Sequence, residues 1–225
     1  MQYTRFIALG DSMTEGMTDE VIDGKFRGWA DRVADVIAKS NPSFTYMNLA
    51  IRGKLLKQVV DDQIPAALKY VEGKQTLVSF HAGANDVLRP NYNPVVSFAE
   101  YEKGVKQLTD AGATVILFTV IDKVEGKGKT AALWHQRFSN FNENVRMVAA
   151  KYPSILFEAK KFLNFIENKN TNHKLLSFLI ESGKKSLTKF AKSRIQAILA
   201  KMRMAKVITP EHFEAEVATA LNWER

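Results

Sequence analysis

Up to residue 158 the chain alternates short continuous apolar runs with longer stretches whose apolar residues recur at helical spacing. Arg5–Leu9 is an apolar run closed by Gly10, the pattern of a buried strand. Gly28–Ser40 places Trp29, Val33, Val36 and Ile37 on one helical face. Phe44–Ala50 reads as a second strand, and Leu55–Val71 is helical in period. Thr76–His81 is a third strand, ending at the turn Ala82-Gly83-Ala84-Asn85. Val96–Ala111 is a helix stopped by Gly112, Thr114–Val120 an almost wholly apolar strand, and Ala131–Lys151 a long helix before Pro153. Ser154–Phe157 is the fifth strand. Five strands separated by helices predict right-handed crossovers and a three-layer α/β/α fold around a five-stranded parallel sheet. In such sheets ligands bind outside the carboxyl ends of the strands.

After Phe157 the pattern changes. Residues 160–167, 173–181 and 184–205 all have helical spacing, and a last helix is expected from Pro210 to about Asn222, with Thr209 as its N-cap. The charge changes with it. Residues 1–158 carry 19 Lys/Arg against 18 Asp/Glu, residues 159–206 carry 12 against 2, and residues 207–225 carry 1 against 4. The whole-chain charge of +8 therefore belongs to one late segment. The division expected is an α/β core over 1–158 and a basic, extended helical C-terminus over 159–225, packed on the core or appended to it.

Composition narrows the chemistry. The 225 residues are 46% hydrophobic and 25% charged, as in a globular domain. They include no cysteine, which excludes disulfides, thiolate metal sites and cysteine nucleophiles. No apolar run approaches the roughly 18 residues of a membrane span, so no membrane partner is expected. Phe6–Leu9 is too short for a signal-peptide core, so the expected compartment is cytoplasmic. The basic segment has no base-reading motif and few aromatics for stacking, so nucleic acid is not expected as a partner.

The segment richest in chemistry is Gly10-Asp11-Ser12-Met13-Thr14-Glu15-Gly16, directly after the first strand. A serine on a tight strand-exit turn is presented at the rim of the sheet, the logic of a nucleophile elbow. Two other strand exits match it in position: Asn48 to Gly53, and Gly83-Ala84-Asn85-Asp86. Acyl transfer needs donors aimed at the developing oxyanion. The Ser12 N–H, the Gly53 N–H and the Asn85 side-chain amide would supply three.

These three blocks, in this order and each at a strand exit, resemble the SGNH, or GDSL, hydrolase superfamily. The resemblance covers residues 1–158. It implies a flavodoxin-like fold and hydrolysis of small acyl esters or thioesters. Ser12 would then be the catalytic nucleophile, Gly53 and Asn85 would complete the oxyanion hole, and no cofactor or metal would be needed. The fourth block of that family, Asp-x-x-His, is absent. The last aspartate is Asp122, and the residues three places before His81, His135, His173 and His212 are Val78, Ala132, Asn170 and Thr209. His212 and His81 are the two candidates for the missing base. The alternative is a catalytically impaired scaffold, natural or joined from two origins, that serves as a binding or structural module.

Overall fold

The computed structural model describes residues 3–17, 19–120 and 128–159. The helices expected at 160–167, 173–181, 184–205 and 210–222, with Asp122, His173 and His212, lie outside the described residues.

The chain runs β1 (Arg5–Gly10), α1 (Ser12–Glu15), β2 (Glu20–Ile22), β3 (Lys25–Arg27), α2 (Trp29–Ser40), β4 (Thr45–Asn48) and α3 (Leu56–Gln58). A π-helical turn (Val59–Gln63) leads into α4 (Ile64–Leu68). Then follow β5 (Thr76–His81), α5 (Ala84–Val87), α6 (Pro94–Asp110), β6 (Thr114–Phe118), α7 (Lys129–Lys151) and β7 (Ser154–Phe157). The main sheet has five strands in the order β4-β1-β5-β6-β7, all parallel. This is the doubly wound order expected from the sequence, and it reverses direction at β1. The carboxyl ends of β1 and β5 therefore flank the crevice where such folds bind ligands.

Alternation along the strands sorts the core into two layers. Ile7, Leu9, Val78, Phe80, Val115 and Leu117 face α3, α4, α6 and α7. Phe6, Ala8 and Leu77 face α2. The residues of α2 buried there are Ala30, Ala34 and Ile37, with Trp29 and Val33 half-buried beside them. Three of the four residues expected on the inner face, Trp29, Val33 and Ile37, pack there; Ala30 and Ala34 join them in place of Val36.

Three boundaries moved for physical reasons. The expected helix 55–71 is interrupted by the π turn, and Pro65 lies in the first turn of the resumed helix. Proline has no N–H to donate and its ring crowds the carbonyl four residues back. The second strand closes at Asn48, yet its backbone keeps tracking β1, with Leu49 N–H donating to Ala8 and Ile51 N–H to Gly10. Helix α6 starts at Pro94, two residues earlier than expected, because the Asn93 side chain caps it and a proline fits the first turn. The sequence reading also missed the antiparallel pair β2–β3, whose turn residues Asp23 and Gly24 both have positive φ, 50° and 75°. An Asp-Gly pair between strand-like residues is the signal that marks such a hairpin.

Candidate active site

The serine turn is built from the end of β1. A side chain at Gly10 would place its Cβ 2.3 Å from the His81 carbonyl oxygen, so glycine is what lets β1 stay in register with β5 to its last residue. Asp11 then caps α1, its carboxylate accepting from the Met13 N–H at 3.1 Å. Ser12 is the first residue of that helix. Among the described residues, no side chain is hydrogen-bonded to its hydroxyl.

The other two strand exits converge on this turn. Gly53 has φ +77°, the left-handed region that glycine adopts at no steric cost. Its loop is tied to α1 by Glu15, which accepts from the Arg52 backbone N–H at 2.8 Å and from the Arg52 guanidinium at 2.8 to 3.1 Å. The Asn85 amide donates to the Lys54 carbonyl at 3.0 Å and to the Asp11 carboxylate at 3.3 Å. One side chain thus spans from the residue before Ser12 to the residue after Gly53. The Asp86 carboxylate accepts from the Leu56 N–H at 2.8 Å and holds the third turn against the second. Ser12, Gly53 and Asn85 lie on one rim of the sheet. A groove of about 180 Å³ lies between Leu55–Lys57 and Arg89, Asn91, Tyr92 and Asn93; Asp86 lines it, and Ser12, Gly53 and Asn85 do not.

Burial sets the electrostatics. It raises the pKa of Asp11, and the attraction of His81 and the Met13 N–H offset this only in part. It lowers the pKa of His81 against the pull of Asp11. The His81 ring lies 5.0 Å from the Phe118 ring, and among the described residues its buried Nδ1 has no hydrogen-bond partner. Burial thus disfavours the imidazolium form beside Asp11, and among the described residues no hydrogen bond joins His81 to Ser12. His135 is exposed on α7, as expected of a surface residue. Among the described residues no cluster of His, Asp and Glu is arranged to hold a metal ion, and no helix is long and apolar enough to cross a membrane.

The model of the GDSL-like lipase/acylhydrolase family matches residues 8–176. The chain belongs to this family. The match continues past the change of composition at residue 158. Among solved structures, this family member resembles the acetylxylan esterase Axe2 from Geobacillus stearothermophilus. The two are 14% identical over 75% of this chain and 84% of that one, with a TM-score of 0.58. It also resembles AlinE4, an SGNH-hydrolase family esterase (16% identity, 75% and 82% covered, TM-score 0.55). TesA is 20% identical, with 68% and 76% covered and a TM-score of 0.53. At these identities the likeness is one of fold. No curated protein sequence matches the chain. The fold class read from strand order and the family read from three short motifs therefore both stand, and the family is one of ester-bond hydrolases.

Two side chains that shape the rim in this family member escaped the sequence reading. Gln63 accepts from the Gly10 N–H and donates to the Gly10 carbonyl, both at 2.9 Å. Its sequence signal was a polar residue within a mostly apolar helical face. Arg137 on α7 donates to the carbonyls of Val87 and Arg89 at 3.3 and 2.8 Å, which closes the far end of the Asn85 helix. Nothing local to residue 137 announces that partner.

Proposed function

We propose that the protein is a serine hydrolase that cleaves carboxylic esters or thioesters through an acyl-enzyme on Ser12. The observation that carries the reading is the Asn85 amide, bonded between Asp11 and Lys54. It brings a donor to the turn that presents the serine. Ser12 Oγ attacks the acyl carbonyl while its proton passes to a base. The carbonyl oxygen becomes an oxyanion that accepts from the Ser12 N–H, the Gly53 N–H and Asn85 Nδ2. The tetrahedral adduct then expels the alcohol or thiol, which takes up the proton. Water repeats the sequence on the acyl-enzyme and releases the acid. The Lys54 carbonyl occupies one amide hydrogen of Asn85. The longer contact to Asp11 leaves the other as the hydrogen that turns to the oxyanion.

The base is unassigned, since the chain has no Asp-x-x-His; His212 and His81 are its two candidates. Asp11 and Asp86 serve as turn-fixing residues, not proton carriers. Absence of that motif also favours a second reading, in which the chain retains the hydrolase scaffold as a binding or structural module. Loss of a triad member lowers turnover by several orders of magnitude, while an intact oxyanion hole and substrate binding retain about 10³–10⁴-fold over water.

The deciding experiment measures hydrolysis of a short activated aryl ester by the wild type and by Ser12→Ala, with fluorophosphonate labelling alongside. Turnover and labelling that both vanish in the variant establish the serine, and His212→Ala and His81→Ala then assign the base. Equal turnover in both proteins, or an inert and unlabelled folded wild type, selects the scaffold reading. We also propose that the chain divides at 158/159. Limited proteolysis that clips between 159 and 172 supports an appended segment, and resistance there supports an integrated one.

A further inference from the structure

We infer that Gln63 is a positioning residue for Ser12: its amide fixes both backbone groups of Gly10 and so sets the turn that presents the serine hydroxyl. The inference rests on the reading of Ser12 as nucleophile. Gln63 is 3% exposed. Its neighbours on the inner face of the same segment are Leu56, Val59, Val60, Ile64 and Ala67, all buried and all apolar. An amide in such a layer is unfavourable unless donor and acceptor are both matched. Here both are matched, and by one residue. Oε1 accepts from the Gly10 N–H and Nε2 donates to the Gly10 carbonyl, which also accepts from the Ile51 N–H at 3.2 Å.

Gly10 has no side chain to pack, and it is the hinge between a strand and a one-turn helix. Its position is therefore held by its neighbouring strand, by Ile51 and by Gln63. The serine follows two residues later. Gln63 itself ends the π-helical turn, a conformation used in single turns and frequent at functional sites. The path from Gln63 to the nucleophile is short: its side-chain amide, then the backbone of Gly10, Asp11 and Ser12. A displacement of about 1 Å at a reacting group can cost about 10²-fold in rate.

The molecule contains its own control. The Asn142 side chain on α7 holds both backbone groups of Val120 in the same manner, at 2.8 Å each, two residues beyond the end of β6, a strand two places from β1 in the sheet. The experiment compares Gln63→Met, Gln63→Asn and Asn142→Leu in the full chain, reading kcat and KM on a short aryl ester, the fluorophosphonate labelling rate and Tm. Gln63→Met fills the space without the hydrogen bonds. Gln63→Asn keeps an amide one methylene too short, and serves if the first variant does not fold. The expected result is a kcat lower by about 10²-fold with KM unchanged, and a parallel fall in labelling rate. Asn142→Leu is expected to lower Tm comparably while keeping kcat. Gln63 variants that keep kcat, or that lose it only as Tm falls and no more than Asn142→Leu does, overturn the inference while the serine reading stands. A wild type as inert as Ser12→Ala removes the serine reading, and the inference with it.

Discussion

Gly10 at the end of β1 and Val120, two residues beyond the end of β6, are each held by a single side-chain amide that bonds both backbone groups of one residue. The clamps are equally buried, Gln63 at 3% and Asn142 at 2% exposure. What surrounds them differs. Beyond Gly10 the chain turns through Asp11, a buried carboxylate with an imidazole for its neighbour and an amide from Asn85 on its oxygen. Beside Val120 lies Thr119, a buried neutral residue whose hydroxyl accepts from the Ala159 N–H at 3.0 Å. The same fold device thus serves a titratable, donor-rich exit at one place, while at the other the described residues beside the clamp, Thr119 and Val120, are uncharged. The first sits at the reversal of strand order, where neighbouring connections leave on opposite faces and open a crevice. The two clamps are alike in burial, and the described residues beside them differ in charge.

The largest expected effect that tests this contrast is Asn85→Ala, which should cost roughly 10²–10³ in kcat, the usual loss for one oxyanion donor. Asn142→Ala should leave kcat in place while lowering Tm. Steady-state rates and thermal melts on both variants check this, and equal losses of activity would erase the distinction between the two exits. Next comes stability. Removing either clamp leaves a backbone N–H and carbonyl without that partner, at about 1–3 kcal/mol per buried group. Each kcal/mol is worth about 2–4 °C of Tm at this chain length. Melts of Gln63→Met and Asn142→Leu should therefore drop by similar amounts, and a much smaller drop for Gln63→Met would mean that water replaces its amide.

A smaller effect is pH-dependent and is expected at the β1 exit. Burial raises the pKa of Asp11, so the folded state holds that proton more tightly than the unfolded chain does. The sign follows: the associated stability is greatest in acid and is lost as pH rises through the raised pKa. Asp11→Asn keeps an acceptor for the Met13 N–H and removes the charge. It should raise Tm at neutral pH, with the gain fading as the solution is made acid. Melts across the acid-to-neutral range check it, and a gain independent of pH would show that burial of the charge is not the cause. The smallest effect is expected from Arg52→Ala. Its pair with Glu15 is 49% and 22% exposed, so water and salt screen it and the fall in Tm should be small in low salt and smaller in high salt. A large fall in Tm would show that the Gly53 loop depends on this pair.

Much of the candidate site was legible because its parts are local. Gly10-Asp11-Ser12, Gly53 and Gly83-Ala84-Asn85-Asp86 each occupy a strand exit, and a strand followed by a glycine turn is written in consecutive residues. The Asp23-Gly24 hairpin was also written locally and was overlooked. The π turn was only half legible: Pro65 announces a break in the helix, but not that the break takes the form of a wider turn.

The sequence by itself determined the alternation of strands and helices, the parallel sheet, the three exit turns and the absence of an Asp-x-x-His. Each of these follows from spacing within a few residues, where hydrophobic period and backbone preference act. Only the tertiary structure decided which side chains hold the exits in place. Gln63 reaches Gly10 across 53 positions and Asn85 reaches Asp11 across 74. It also decided that Ala30 and Ala34, not Val36, face the sheet. A buried amide must find its partner wherever packing brings one within about 3 Å. That partner is set by how the layers stack, which no local pattern encodes.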